Sequence, residues 1–159
     1  MEKLFNSSLG IKLNKDQIVK AINDFINDKP ERKYKIIIGS DSLKRPDNKA
    51  DFVTAIVVHR VGNGGKYFWR HLEMTKIHTL RDRIIQEVLL SLETGKEMLE
   101  TLHQSGAKNF DFEIHVDVGE KGPTKSLIQE VTGIIRANNF EFKIKPNSYG
   151  ASKVADRHV

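Results

Sequence analysis

The residues that invite a chemical reading are four acids spread along the chain: Asp41, Glu87, Asp117 and Asp156. Asp41 follows Tyr34-Lys35-Ile36-Ile37-Ile38-Gly39-Ser40, whose three successive isoleucines are too uniformly apolar for a strand with one wet face. Such a run reads as a strand buried on both sides at the centre of a sheet. A carboxylate at the tip of that strand is costly to desolvate unless a cation or a turn hydrogen bond meets it. Capping the turn into Ser42-Leu43-Lys44 is an equally good account of Asp41 taken alone. Four carboxylates gathered at one point, however, need cations, and hard oxygen donors suit magnesium or manganese.

The elements that would gather them follow from periodicity. Residues 1–14 carry no clear period. Ile18, Ala21, Ile22, Phe25 and Ile26 then recur at helical spacing, with Asn14 as N-cap and Asp28-Lys29-Pro30 as a stop. The central strand (34–42) is followed by a polar link at 44–49 and a β-branched strand at 51–61. Gly62-Asn63-Gly64-Gly65 marks a hairpin turn into a third strand at 66–74. A long helix over 80–104 buries Ile84, Ile85, Val88, Leu89, Leu92, Met98, Leu99 and Leu102. Glu87 flanks that stripe, and Thr79 with Asp82 forms a capping box. Residues 110–118 alternate as a fourth strand, and Pro123 opens a helix to about 137. A fifth strand at 140–144 and a short closing helix complete the order.

If the fourth strand runs parallel to the first beside it, as a helical crossover implies, Asp41 and Asp117 share one edge. That edge, beyond the carboxyl ends of strands, is where open α/β sheets bind ligands. Each acid also has a plain alternative. Asp117 can also be read as an exposed strand-end residue, Glu87 as a helix-flank charge, and Asp156 as a solvated terminal acid.

Composition bounds the partners. The 159 residues carry a net charge of +5 with a pI near 9.4, which suits an anionic partner such as nucleic acid. The absence of cysteine excludes disulfides, thiolate zinc sites and a cysteine nucleophile. No apolar run reaches membrane-span length and the first residues lack a signal-peptide core, so a cytoplasmic location is expected.

The order of elements, with acids after the first strand, in the long helix, after the fourth strand and in the last helix, resembles the ribonuclease H-like fold. The wording GSDS at 39–42, HVDVG at 115–119 followed by GPT at 122–124, and KPNSYGASKVAD at 145–156 resembles the bacterial YkuK-type family of that superfamily. The resemblance implies a mixed α/β, five-stranded sheet with helices on both faces. Its first three strands would be antiparallel and the fourth and fifth parallel to the first. Residues 34–159 would form this domain, with residues 1–33 as an N-terminal segment bearing one amphipathic helix.

It further implies two Mg2+ or Mn2+ ions about 4 Å apart, held by Asp41 as bridging ligand with Glu87, Asp117 and Asp156. The implied reaction is phosphodiester hydrolysis in RNA, RNA–DNA hybrid or structured DNA. A nucleic-acid-binding or regulatory module with little or no catalysis is the alternative. Three departures from the superfamily pattern bear on activity. Ser42 stands where a glycine usually follows the first aspartate, 147–152 contains no histidine, and residue 43 is Leu where exonucleases carry a second acid.

Lys121 and Lys125, with the helix start at Pro123-Thr124, offer a phosphate dock, and Lys153 and Arg157 could steer the same groups. His115 shares a face with Asp117, and its expected place is beneath the long helix. Trp69, with Tyr67 and His71, could stack bases, though packing against a helix is the commoner fate. Arg60, Lys66 and Arg70 add charge near it.

Overall fold

The computed structural model describes the backbone of residues 2–148 and 150–159, with the side chains of residues 150, 152 and 153 outside that description. Seven strands form one sheet: β1 (Phe5–Ser7), β2 (Lys12–Leu13), β3 (Tyr34–Arg45), β4 (Lys49–Arg60), β5 (Gly65–Met74), β6 (Phe110–His115) and β7 (Glu141–Lys143). Their spatial order is β2-β1-β5-β4-β3-β6-β7. β3, β4 and β5 form the expected antiparallel meander, while β6 runs parallel to β3 and β7 parallel to β6.

Two strands exceed the expected five. β1 and β2 form a hairpin that adds to the free edge of β5 through Asn6↔Trp69 and Ser7↔Phe68. Strands of three and two residues are too short to show alternation, so only pairing to that edge specifies them.

The helices are α1 (Lys15–Asp28), α2 (Leu80–Gln104), α3 (Ile128–Ala137) and α4 (Gly150–His158). α1 and α2 begin with complete capping boxes, Asn14 with Gln17 and Thr79 with Asp82. Together they cover one face of the sheet, where Ile36, Ile38, Ile56, Val58 and Ile114 meet Ile18, Ile22, Ile84, Val88 and Leu92. The opposite face carries Ile37, Val53 and Ala55 against Ala151, Val154 and Ala155 of α4. Alternate residues of β3 thus serve two cores, and that is why its isoleucine run shows no polar period.

Four expected boundaries shift. Half of the polar segment at 44–49 belongs to strands, because β3 and β4 extend to an Arg45↔Lys49 pair and turn through Asp47 and Asn48, both at positive φ. Main-chain hydrogen bonds hold this arm, so its exposed side chains give no hydrophobic signal. β6 stops at His115, three residues short of the expected end. β7 spans only Glu141–Lys143. The helix expected from Pro123 begins as a 3-10 turn over Lys125–Leu127, with α3 proper starting at Ile128.

Arg60, read from the sequence as surface charge, is 5% exposed and structural. Its Nη2 donates to the Phe25 carbonyl at 2.7 Å, its Nε donates to Tyr34 Oη at 3.0 Å, and its guanidinium lies 3.9 Å from the Phe25 ring centre. It ties the last turn of α1 to the sheet.

At Gly39 the backbones of β3 and α4 approach so closely that a Cβ there would lie 2.8 Å from the Ala151 Cβ and 3.3 Å from the His115 carbonyl oxygen. Gly39→Ala therefore has to push α4 off the sheet. We expect a loss of about 1–3 kcal/mol by denaturant titration, with Ala151→Gly in the same chain recovering part of it. No recovery in the double variant would show that the helix contact is not what requires glycine.

Candidate metal centre

β3 and β6 are unequal in length, and the site lies at the step between them. Their pairing ends at Gly39↔His115, while β3 continues to Arg45 against β4. Asp41 is therefore mid-strand, not at a strand end as the sequence suggested, and β6 has stopped beside it. Carrying the register two residues further sets Asp117 opposite Asp41.

Alternation splits this stretch of β3 between the two faces. Ser40 and Ser42 reach α2. The Ser40 hydroxyl lies 2.9 Å from Thr54 Oγ1 and 2.8 Å from Ser91 Oγ, a buried link joining β3, β4 and α2. Ser42 Oγ donates to Glu87 Oε2 at 2.5 Å. Asp41 points to the α4 side, where Asp156 is near enough to push its carboxyl up.

The charges register one another. Burial above all raises the Asp41 carboxyl to about 6, and Asp117 and Asp156 push the same way. The Ser42 N–H, donating to Asp41 Oδ1 at 2.8 Å, opposes them. Glu87 is 5% exposed and pushed up to about 8, chiefly by burial and further by Asp41 and Asp117. The hydrogen bond from Ser42 and the positive charge of Arg83 lower it. The sequence placed Glu87 beside the buried stripe of α2, whereas it lies within that stripe.

Asp41 is thus within electrostatic reach of Asp117 and Asp156, and Glu87 within reach of Asp41 and Asp117. Their all-oxygen donor chemistry and mutual repulsion fit hard divalent cations. Among the described residues, however, no three His, Cys, Asp or Glu side chains are gathered as a ready-made metal site. Asp117 Oδ1 is paired instead with Lys145 Nζ at 2.8 Å.

The other expected residues are dispersed. Lys121, Lys125 and Arg157 are exposed, and the Lys153 side chain lies outside the described residues. The expected dock at Pro123-Thr124 opens a 3-10 turn, and α3 proper starts only at Ile128. Thr124 is buried, and its Oγ1 accepts from the Gly119 N–H at 3.2 Å.

His115 lies on the face opposite α2, paired through Nε2 with Glu113 Oε1 at 2.7 Å, and both are buried. The expected place beneath the long helix is therefore corrected. β6 presents Ile114 to that helix, so its neighbour faces the other way. Trp69 stacks on His158 of α4, with ring centres 4.1 Å apart, and so packs against a helix.

Three contributors escaped the sequence reading: Ser42 as a donor to Glu87, Arg83 one turn before Glu87, and Lys145. Only Arg83 had a sequence signal, its i, i+4 spacing from Glu87.

The Ribonuclease H-like family profile matches residues 17–159. A protein of Bacillus subtilis (strain 168), YkuK, described as uncharacterized, is 36% identical in an alignment covering 88% of this chain and 87% of the relative. No solved structure matches the chain. The chain belongs to the ribonuclease H-like superfamily, within its YkuK-type family. The single mixed sheet flanked by helices is consistent with that fold, while the strand count and order differ in detail, the N-terminal hairpin being an addition at the edge. No helix is long and apolar enough to cross a membrane among the described residues.

The raised carboxyls set a pH dependence. Between ordinary values of 3.8 and 4.5 and folded values of about 6 and about 8, the folded chain holds protons that the unfolded chain has released. Stability without divalent ions therefore falls as pH rises through that window. Glu87→Gln should melt close to wild type near pH 5 and several degrees above it at pH 8. A difference independent of pH would show that Glu87 ionises normally.

Proposed function

We propose that this protein is a divalent-metal-dependent nuclease hydrolysing phosphodiester bonds in RNA, RNA–DNA hybrid or structured DNA. The observation that carries this reading is the carboxyl group of Asp41. It is half-buried at the step between β3 and β6, repelled by Asp117 and Asp156, and raised to about 6. A chain with net charge +5 that concentrates acids at one sheet edge has built a cation site facing an anionic substrate.

In this reading Asp41, Glu87, Asp117 and Asp156 hold Mg2+ or Mn2+, which when bound supplies Lewis-acid charge and a water of lowered pKa. Asp41 would serve as the common ligand, set on the α4 side of β3 at the step beside β6. Ser42 orients Glu87 by donating to one carboxylate oxygen and leaves the other free. Arg83 favours the charged form of Glu87, against the larger effect of burial. Asp156 enters from α4, whose position depends on the contact at Gly39. The exposed Lys121, Lys125 and Arg157 supply phosphate contacts whose strength falls with salt.

A second reading, a nucleic-acid-binding module with little catalysis, draws on the Lys145–Asp117 pair and on the absence of a gathered three-ligand group among the described residues.

Titration of Mg2+ and Mn2+ into wild type and an Asp41→Asn, Asp117→Asn double variant, with labelled RNA, hybrid and DNA in the same samples, separates these readings. We expect ion binding and cleavage in the wild type and neither in the variant. Salt-sensitive nucleic-acid binding without cleavage would select the second reading. Wild type that binds no ion at millimolar concentration would overturn the metal centre.

A further inference from the structure

Lys145 is the one cation paired directly with a candidate ligand among the described residues, and its place is built into the chain. Beyond the regular strands, the segments after β6 and β7 continue side by side: the Val116 N–H donates to the Lys143 carbonyl at 3.0 Å, and the Lys145 N–H donates to the Val118 carbonyl at 2.8 Å. The backbone of Lys145 is thereby anchored next to Asp117.

Its side-chain stem lies across Gly119. A Cβ at residue 119 would sit 2.9 Å from the Lys145 Cβ and 3.4 Å from its Cδ. Gly119 has no need of glycine for its backbone angles, since it is absent from the positive-φ residues; what it supplies is room. Over that gap the ammonium reaches Asp117 Oδ1, with the Lys145 side chain 53% and that of Asp117 33% exposed.

We propose that Lys145 is a tethered competitor for the divalent cation, occupying Asp117 until an ion displaces it and so setting the ion concentration at which the centre fills. This rests on the metal-dependent reading above. An ammonium and a divalent ion cannot share one carboxylate oxygen at close range without strong repulsion. Apparent ion affinity is then the intrinsic affinity reduced by the fraction of molecules whose Asp117 is free. Because the pair is partly exposed, its hold is modest and reversible, as a threshold device requires.

Calorimetric titration of Mn2+ into the full chain tests this with Lys145→Met, Lys145→Arg and wild type. We expect Lys145→Met to bind Mn2+ roughly two- to fivefold more tightly, and Lys145→Arg to stay close to wild type because it keeps the charge. The advantage of Lys145→Met should shrink as salt screens the wild-type pair. Melting curves without ions confirm that each variant is folded. If wild type binds Mn2+ and Lys145→Met binds it no more tightly, this proposal fails while the metal centre stands. If neither binds Mn2+, both fail together.

Discussion

Everything at the functional end of this molecule depends on the unequal lengths of two neighbouring strands. β6 ends opposite Gly39 while β3 runs on to Arg45, so Asp41 has a strand on one side and a step on the other. Its carboxyl group is half-buried, and a partly desolvated negative charge has to be met by hydrogen bonds, by protons or by cations. The Ser42 N–H gives one hydrogen bond. Asp117 and Asp156 make the demand greater, and the raised carboxyl of Asp41 records the shortfall. A pair of strands ending level would have filled the step with a neighbouring strand and left no place for this chemistry.

The two faces of the sheet deliver the remaining groups by different physical means. On the α2 face, the Ser40–Thr54–Ser91 hydroxyls form a satisfied buried network one turn of helix from Glu87. Such a network specifies a single register, because slipping it would leave buried hydroxyls unpaired. On the α4 face the device is steric. Gly39 and Ala151 let helix and strand touch, and this contact sets the depth at which Asp156 arrives.

Membership of a widely used fold does not decide what a protein does; the site does. Ser42 illustrates the point. Against the superfamily pattern it reads as a departure, a side chain where glycine is usual. In the structure its hydroxyl orients Glu87 and its amide supports Asp41, so the substitution adds a function to the position. Lys145 is a second feature of this chain, for it places a cation on a carboxylate that the metal-dependent reading requires.

The sequence by itself determined the main elements, because each has a local cause. The isoleucine run marks the doubly buried strand, the capping boxes at Asn14 and Thr79 start the first two helices where expected, and the glycine cluster at 62–65 turns the hairpin. It also supplied the four acids and the parallel relation of β3 and β6, which follows from a helical crossover. Only the tertiary structure decided the β1–β2 hairpin, the side on which His115 lies, the burial of Arg60, and the pairing of Asp117 with Lys145. None of these has a periodicity, since each depends on which distant backbone stands alongside: the edge of β5, the helix facing β6, the last turn of α1, the segment after β7. A sequence records what each residue can do, and the step beside Asp41 exists only once two strands of different length have paired.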